Sequence, residues 1–218
     1  YALNSSSQAP ILDQIYLNFL RDQNSAEFVH SVAQTYTLVT LARLSAYGSR
    51  VTRRGAMLAL SMLGDYSVNK VLGRGLVDGD RAVRLIADNG IRTIWFRCGS
   101  TNQQLELQSL QRLNDHLRFE EAVDRSSGLI ETTPWIAEGW NQRGIALFHL
   151  KRFNDSANDY HQALELNAYH FAAAAGMAHC YLKMQQPQYA LETFRRALTL
   201  NPDLQSVRMQ VEYLERSL

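Results

Sequence analysis

His179 and Cys180 hold the most chemical potential in this sequence, because a thiol beside an imidazole is the raw material of nucleophilic catalysis. Adjacent helical residues point about 100° apart, however, so the two cannot act as a hydrogen-bonded dyad, and packing is the expected role of Cys180. Histidines stand at 30, 116, 149, 161, 170 and 179, and none forms an HExxH or comparable ligand spacing with carboxylates. Cys98 and Cys180 form no CxxC pair and no framework, so neither a disulfide scaffold nor a thiolate zinc site is indicated. Gly73-Arg74-Gly75 and Gly79 lack the third glycine, the lysine and the strand of a phosphate-binding loop. Glu120-Glu121, Asp155 and Asp159 fit solvated helix faces. The expectation is no catalytic residue, no cofactor and no metal.

The elements that position these residues are helices. With 218 residues, 46% of them hydrophobic, the chain can bury a substantial core, and only 4 Pro and 12 Gly leave long stretches without breakers. An all-α fold follows. The balance of 22 Lys+Arg against 21 Asp+Glu, a net charge of +1, gives no whole-chain argument for nucleic acid or an anionic membrane. The uncharged runs 28–42 and 166–182 are short and polar for a membrane span, so none is expected. The first residue is Tyr1 rather than Met, so the natural start is expected upstream; localisation stays open between the cytoplasm and, with a signal peptide, export.

A 34-residue period organises the second half. Residues 137–170 laid above 171–204 place Gly144 on Ala178, Leu147 on Tyr181, Ser156 on Ala190, Tyr160 on Phe194 and Ala163 on Ala197. Residues 103–136 fall in the same register through Leu113, Phe119, Ala122 and Pro134. Small residues let two antiparallel helices approach closely, and Trp140, Leu147 and Tyr160 fill the space between repeats. Each repeat is a helical hairpin, broken at Asn201-Pro202 where proline disfavours helix in the residue before it. The tail places Val207, Val211, Leu214 and Leu218 at helical spacing, a polar-backed capping helix over 203–218.

This half resembles tetratricopeptide repeats, with Trp140, Gly144, Leu147, Tyr160 and Ala163 in one repeat and Tyr181, Ala190, Phe194, Ala197 and Pro202 in the next. The repeat over 103–136 is a degenerate joining repeat, having Leu110 and Leu129 where the family has small residues and Ser126 where it has an aromatic. In the first half a shift of 31 places Arg53 on Arg84, Ala56 on Ala87, Ala59 on Gly90 and Leu60 on Ile91. With Val77-Asp78-Gly79-Asp80-Arg81, this resembles the short HEAT repeats named after phycobilisome lyases. Helices over 11–20 and 28–44 are expected to cap that array, and Gly64 is expected to end a helix in the left-handed conformation with Asp65 capping the next. The combination is similar to a set of bacterial and plant repeat proteins and implies no known reaction. The expected architecture is an α-solenoid, with N-terminal helices and HEAT-like repeats over 1–100 and tetratricopeptide repeats over 101–218.

The tetratricopeptide resemblance implies that the first helix of each hairpin lines a concave inner surface. Its inward positions are Glu138, Asn141, Ile145, Phe148 and His149, then Ala172, Ala175, His179, Leu182 and Lys183. Small alanines beside Phe148 and Leu182 would leave a groove, and Asn141 could bond an extended backbone. The expected function is a non-enzymatic scaffold that binds a protein or peptide there. The lysine and asparagine pattern that clamps acidic chaperone tails is not met, since Ile145 and Gly176 stand at two of its positions. One alternative is a nucleic-acid or acidic-ligand ridge of Arg50, Arg53, Arg54, Arg81 and Arg84, because residues 1–102 hold eleven Lys+Arg against seven Asp+Glu. No aromatics interleave these arginines, which disfavours single-stranded nucleic acid, and pairing of Arg53 and Arg84 with Asp78 or Asp80 is the structural reading of the same residues. An accessory role in an enzyme, or a second copy of the chain filling the concave face, completes the alternatives.

Overall fold

The computed structural model describes residues 10–218; the first nine residues of the expected N-terminal region lie outside them. Thirteen α-helices and no strand occur among the described residues. The fold is all-α. It divides into two compact bodies, one running through Ile91 and the other from Arg92 to Leu218.

In the N-terminal body, α1 (Ile11–Asp22) buries Leu12 and Tyr16, and its Leu12 N–H donates to the Tyr36 hydroxyl at 3.0 Å. The single helix expected over 28–44 is instead two, α2 (Ser25–Thr35) and α3 (Leu38–Tyr47). Tyr36 is extended at φ −131°, and the Thr37 hydroxyl accepts from the Thr40 N–H, so a threonine cap restarts the helix without glycine or proline. The break is what lets Tyr36 satisfy a donor in the first turn of α1. After Ser49 caps α4 (Arg50–Leu63), Gly64 is extended at φ −77° rather than left-handed as expected. A Cβ there would lie 2.5 Å from both the Leu60 carbonyl oxygen and a Val68 methyl, so close approach is the reason for glycine. Asp65 accepts from the Ser67 N–H to cap a 3₁₀ turn over Tyr66–Val68, which leads into α5 (Asn69–Gly75). α6 (Arg81–Trp95) follows, and the 31-residue shift holds in its burial: Ala56 and Ala87, Ala59 and Gly90, Leu60 and Ile91 are all buried pairs.

The C-terminal body is a series of hairpins: α7 (Thr101–Asp115) with α8 (Phe119–Thr132), α9 (Ala137–His149) with α10 (Phe153–Leu166), and α11 (Phe171–Lys183) with α12 (Pro187–Leu200), closed by α13 (Gln205–Ser217). Their turns repeat to within a few degrees. Leu117, Lys151 and Gln185, each 34 residues apart, are left-handed at φ 60°, 63° and 60°. The next N–H in each case, from Arg118, Arg152 and Gln186, donates to the carbonyl of Leu113, Leu147 and Tyr181 at 2.9 Å. This satisfies an orphan carbonyl at the end of each first helix. The second helices end equally alike, with Thr133, Asn167 and Asn201 at φ −140°, −139° and −140°. In α13, Val207, Val211 and Leu214 are buried, whereas Leu218, expected on the same stripe, is 57% exposed.

The conserved geometry of the hairpins rests on small residues in contact with large ones. The buried Tyr160 ring lies between the α9 and α11 backbones at Gly144 and Gly176. A Cβ on Gly176 would fall 2.4 Å from a Tyr160 ring carbon, and one on Gly144 would fall 3.0 Å away. Ala is the better helix former by about 0.8–1 kcal/mol, but a rigid ring cannot yield that space. Gly176→Ala is therefore expected to destabilise the chain by about 1–3 kcal/mol, read as a lower urea midpoint at unchanged m-value. An unchanged or raised midpoint would show that the ring relaxes.

Candidate protein-interaction face

The first helices of the hairpins carry the expected contact residues, and the structure sorts these into two sets. Glu138 and Asn141 are 3% and 4% exposed, inside the body rather than on an open face as the repeat register predicts. Glu138 Oε1 accepts from the Asn141 amide at 3.0 Å and the Gln142 amide at 2.6 Å. Its Oε2 lies 3.0 Å from His170 Nε2. His170 caps α11 by accepting the Ala173 N–H at Nδ1, which leaves Nε2–H to donate to the carboxylate. Asn114 extends the network, donating to both the carbonyl and side-chain oxygens of Gln142.

Trp95 meets this network at His170. Its ring stacks on His170 with centroids 4.0 Å apart and planes 15° apart, and tilts against Phe171 at 5.2 Å. The Arg92 guanidinium lies over the same Phe171 ring at 4.6 Å. The last turn of α6 thus occupies the first turn of α11. Nothing in the 34-residue period signals this, since Trp95 precedes the repeats and lies 75 residues from His170; the cluster Tyr169-His170-Phe171 at the repeat join was its only trace.

The second set stays accessible. Ile145 and Phe148 are half-buried, and His149 is exposed, its ring stacked on Phe119 at 4.4 Å. On α11, Ala172, Ala175 and Leu182 are half-buried, while His179 and Lys183 are exposed. The His179 ring meets Phe194 edge-on at 4.9 Å, and desolvation, then the Lys183 ammonium, hold its imidazole below the ordinary histidine value. One repeat further on, the 34-residue register carries Ala175 to Met209 and His179 to Tyr213, which are 63% and 67% exposed. The helical spacing of α13 alone predicts only a cap, and extending the inward register by one more repeat adds both residues to the candidate face.

Of the remaining candidates, all but Arg50 and Arg81 are internally committed. Cys180 is buried, its Sγ 3.2 Å from Ser156 Oγ, and burial pushes its thiol up to about 11, so it is a protonated packing group at neutral pH. Asp159, expected on a solvated face, is 5% exposed and takes a bidentate contact from Arg143 at 2.7 and 2.8 Å. Of the arginine ridge, Arg53 is bidentate to Asp78, Arg54 is bidentate to Asp80, and Arg84 donates to the Asp78 carbonyl at 3.0 Å. Arg54 holds the Asp80 carboxyl below the usual carboxylate range. Arg50 and Arg81 are exposed and make no hydrogen bond among the described residues. Among the described residues no group of three or more His, Cys, Asp or Glu is placed to hold a metal, and no helix is long and apolar enough to cross a membrane.

Two segments, residues 137–170 and 172–204, match the tetratricopeptide repeat. Over 141 residues the chain is 28% identical to a TPR repeat-containing protein of Rhizobium etli, covering 65% of this chain and 68% of that one. The fold of its repeats is similar to that of the first tetratricopeptide domain of Spaghetti (RPAP3) bound to the HSP90 peptide SRMEEVD, with a TM-score of 0.50 at 18% identity over 52% of this chain and 90% of that one. It is also similar to the tetratricopeptide domain of Arabidopsis OM64, with a TM-score of 0.51 at 16% identity over 53% of this chain and 95% of that one.

Proposed function

We propose that this chain is a non-enzymatic protein-interaction scaffold, taking a peptide or protein segment on the first-helix face of its last repeats. The observation that supports this most is the row in repeat register from the half-buried Ala175 and exposed His179 on α11 to the exposed Met209 and Tyr213 on α13, with Leu182 and Lys183 beside it. Two large apolar side chains held outward by a rigid helix, next to a cation, are groups that gain most from burial against a partner. The similar Spaghetti domain has a peptide bound, which favours a peptide as the ligand class here. Ile145 and Gly176 still argue against an acidic chaperone tail clamped in the family manner. Glu138 and Asn141 support the face from beneath and do not touch the ligand. The N-terminal body we read as HEAT-like helical pairs, on the shared burial of α4 and α6 and the Arg53–Asp78 pairing.

The test is binding to an array of peptides, comparing wild type with Lys183→Glu/Tyr213→Ala. Both residues are exposed, so the fold should be kept, checked by far-UV circular dichroism. Peptides bound by wild type and weakened about tenfold or more by the double variant support the face. If no peptide binds, or if every bound peptide is held equally by both proteins, the face is refuted.

A further inference from the structure

The N-terminal body has a groove of its own, formed by none of the residues of the proposed first-helix face. A groove of about 440 Å3 lies among α3, α4 and α5. Val39 and Ala42 of α3 form one wall, Val71 of α5 forms the other, and the buried Met57 of α4 is its floor. Two guanidiniums, Arg43 and Arg74, stand on opposite walls. Both are exposed, and neither has a hydrogen bond or ion pair among the described residues. They differ in this from Arg53 and Arg54, whose carboxylate partners are in place. The one carboxylate lining the groove among the described residues, Asp78, is the partner already held by Arg53. The groove therefore presents an apolar floor between two unneutralised cations.

Tyr47 adds to this. At the last position of α3 it is 89% exposed, and it lines both this groove and a shallower depression formed with Thr40, Leu44 and Gly48. Arg43, one turn earlier, lines the same two depressions. An exposed tyrosine beside an exposed arginine is the composition enriched at energetic centres of protein interfaces.

We infer that this groove docks an acidic peptide segment of another protein, with an apolar side chain seated over Met57 and flanking carboxylates on Arg43 and Arg74. The volume falls within the range of about 300–1,000 Å3 in which ligand-sized groups are held, which suits one or two apolar side chains rather than a folded surface. The charge selects the flanks: guanidiniums pair carboxylates in bidentate geometry. The walls select against nucleic acid, since among the described residues Tyr47 is the one aromatic side chain lining the groove and single strands bind on successive aromatic platforms.

The probe is an immobilised series of eight-residue peptides with two fixed Asp or Glu positions and a varied apolar anchor, beside the same series with Lys in place of the acids. The full chain is expected to bind members of the acidic series and none of the lysine series, more weakly at higher salt. Arg43→Glu/Arg74→Glu should lower that affinity at least tenfold, and Val39→Asp should lower it while leaving both arginines intact. Lys183→Glu, on the first-helix face, should leave it unchanged, so that this groove and the proposed face are judged separately. All these side chains are exposed, and melting temperatures should stay at the wild-type value. The inference fails if no acidic peptide binds, or if both series bind alike. It fails equally if an oligonucleotide displaces the bound peptides, or if the arginine variants change only the sedimentation mass of the chain, which would make a second copy the occupant.

Discussion

Replacing Glu138 by Ala should cost about 3–5 kcal/mol of stability, the range measured when one partner of a buried charged network is removed. The carboxylate is almost wholly enclosed and accepts from Asn141, Gln142 and His170. Without it three buried donors lose their acceptor together, and each unsatisfied group costs about 1–3 kcal/mol before relaxation. Relaxation is limited. Gln142 is held at its other end by Asn114, and His170 cannot swing its Nε2–H to a new acceptor because Nδ1 is held by the Ala173 N–H. Glu138→Gln separates shape from charge: it keeps the volume, but its amide must point N–H groups at either His170 or the Asn141 and Gln142 amides. A smaller loss than for Ala is therefore expected, with both read from urea unfolding monitored at 222 nm. The exposed Glu131→Ala, as control, should stay within about 0.5 kcal/mol. A Glu138→Ala loss no larger than that of the control would mean the network contributes nothing to folding.

That a glutamate at an inward position is structural explains what the sequence could and could not show. The repeat period reports contacts that recur every 34 residues. Small residues at Gly144, Ser156 and Ala163 were legible because their counterparts Ala178, Ala190 and Ala197 stand at the equivalent positions of the next hairpin, and all six are buried. Contacts made once leave no period. Trp95 on His170 is such a contact, and the Glu138 carboxylate that His170 meets lies, with Asn141, in the interior rather than on an open face. The hairpin turns were hidden for another reason: their left-handed residue is Leu117, Lys151 or Gln185, where the expected signal is glycine or asparagine. The division of the run 28–44 was hidden similarly, because Thr37 restarts the helix with a side-chain cap rather than a breaker. Short-range electrostatics was more transparent. Arg53 and Arg84 do meet Asp78, since the loop carrying the aspartate is a single turn in both sequence and space. What sequence did not reveal there is which cations remain unmatched, and Arg43, with Tyr47, stands out only once the pairs are assigned.

Trp95→Ala is expected to match the Glu138 variant in size, at about 3–5 kcal/mol, the range for truncating a buried tryptophan. At 3% exposure the indole is enclosed, and its two aromatic neighbours, His170 and Phe171, would face a cavity too large to collapse onto. The loss also reaches the carboxylate. Stacking of the indole on His170 fixes the imidazole plane and so the line from Nε2 to Glu138, and the two substitutions should therefore be coupled. In a double-mutant cycle of Trp95→Ala with Glu138→Gln, the combined loss should fall short of the sum by about 0.5–3 kcal/mol, as for residues sharing one network. Trp95→Phe retains a flat ring over His170 and should recover a substantial part of the stability. Strict additivity would mean that the tryptophan acts by volume alone and that the His170–Glu138 contact holds its geometry unaided. Additivity together with full rescue by Trp95→Leu, which fills space without stacking, would settle the matter in favour of plain packing.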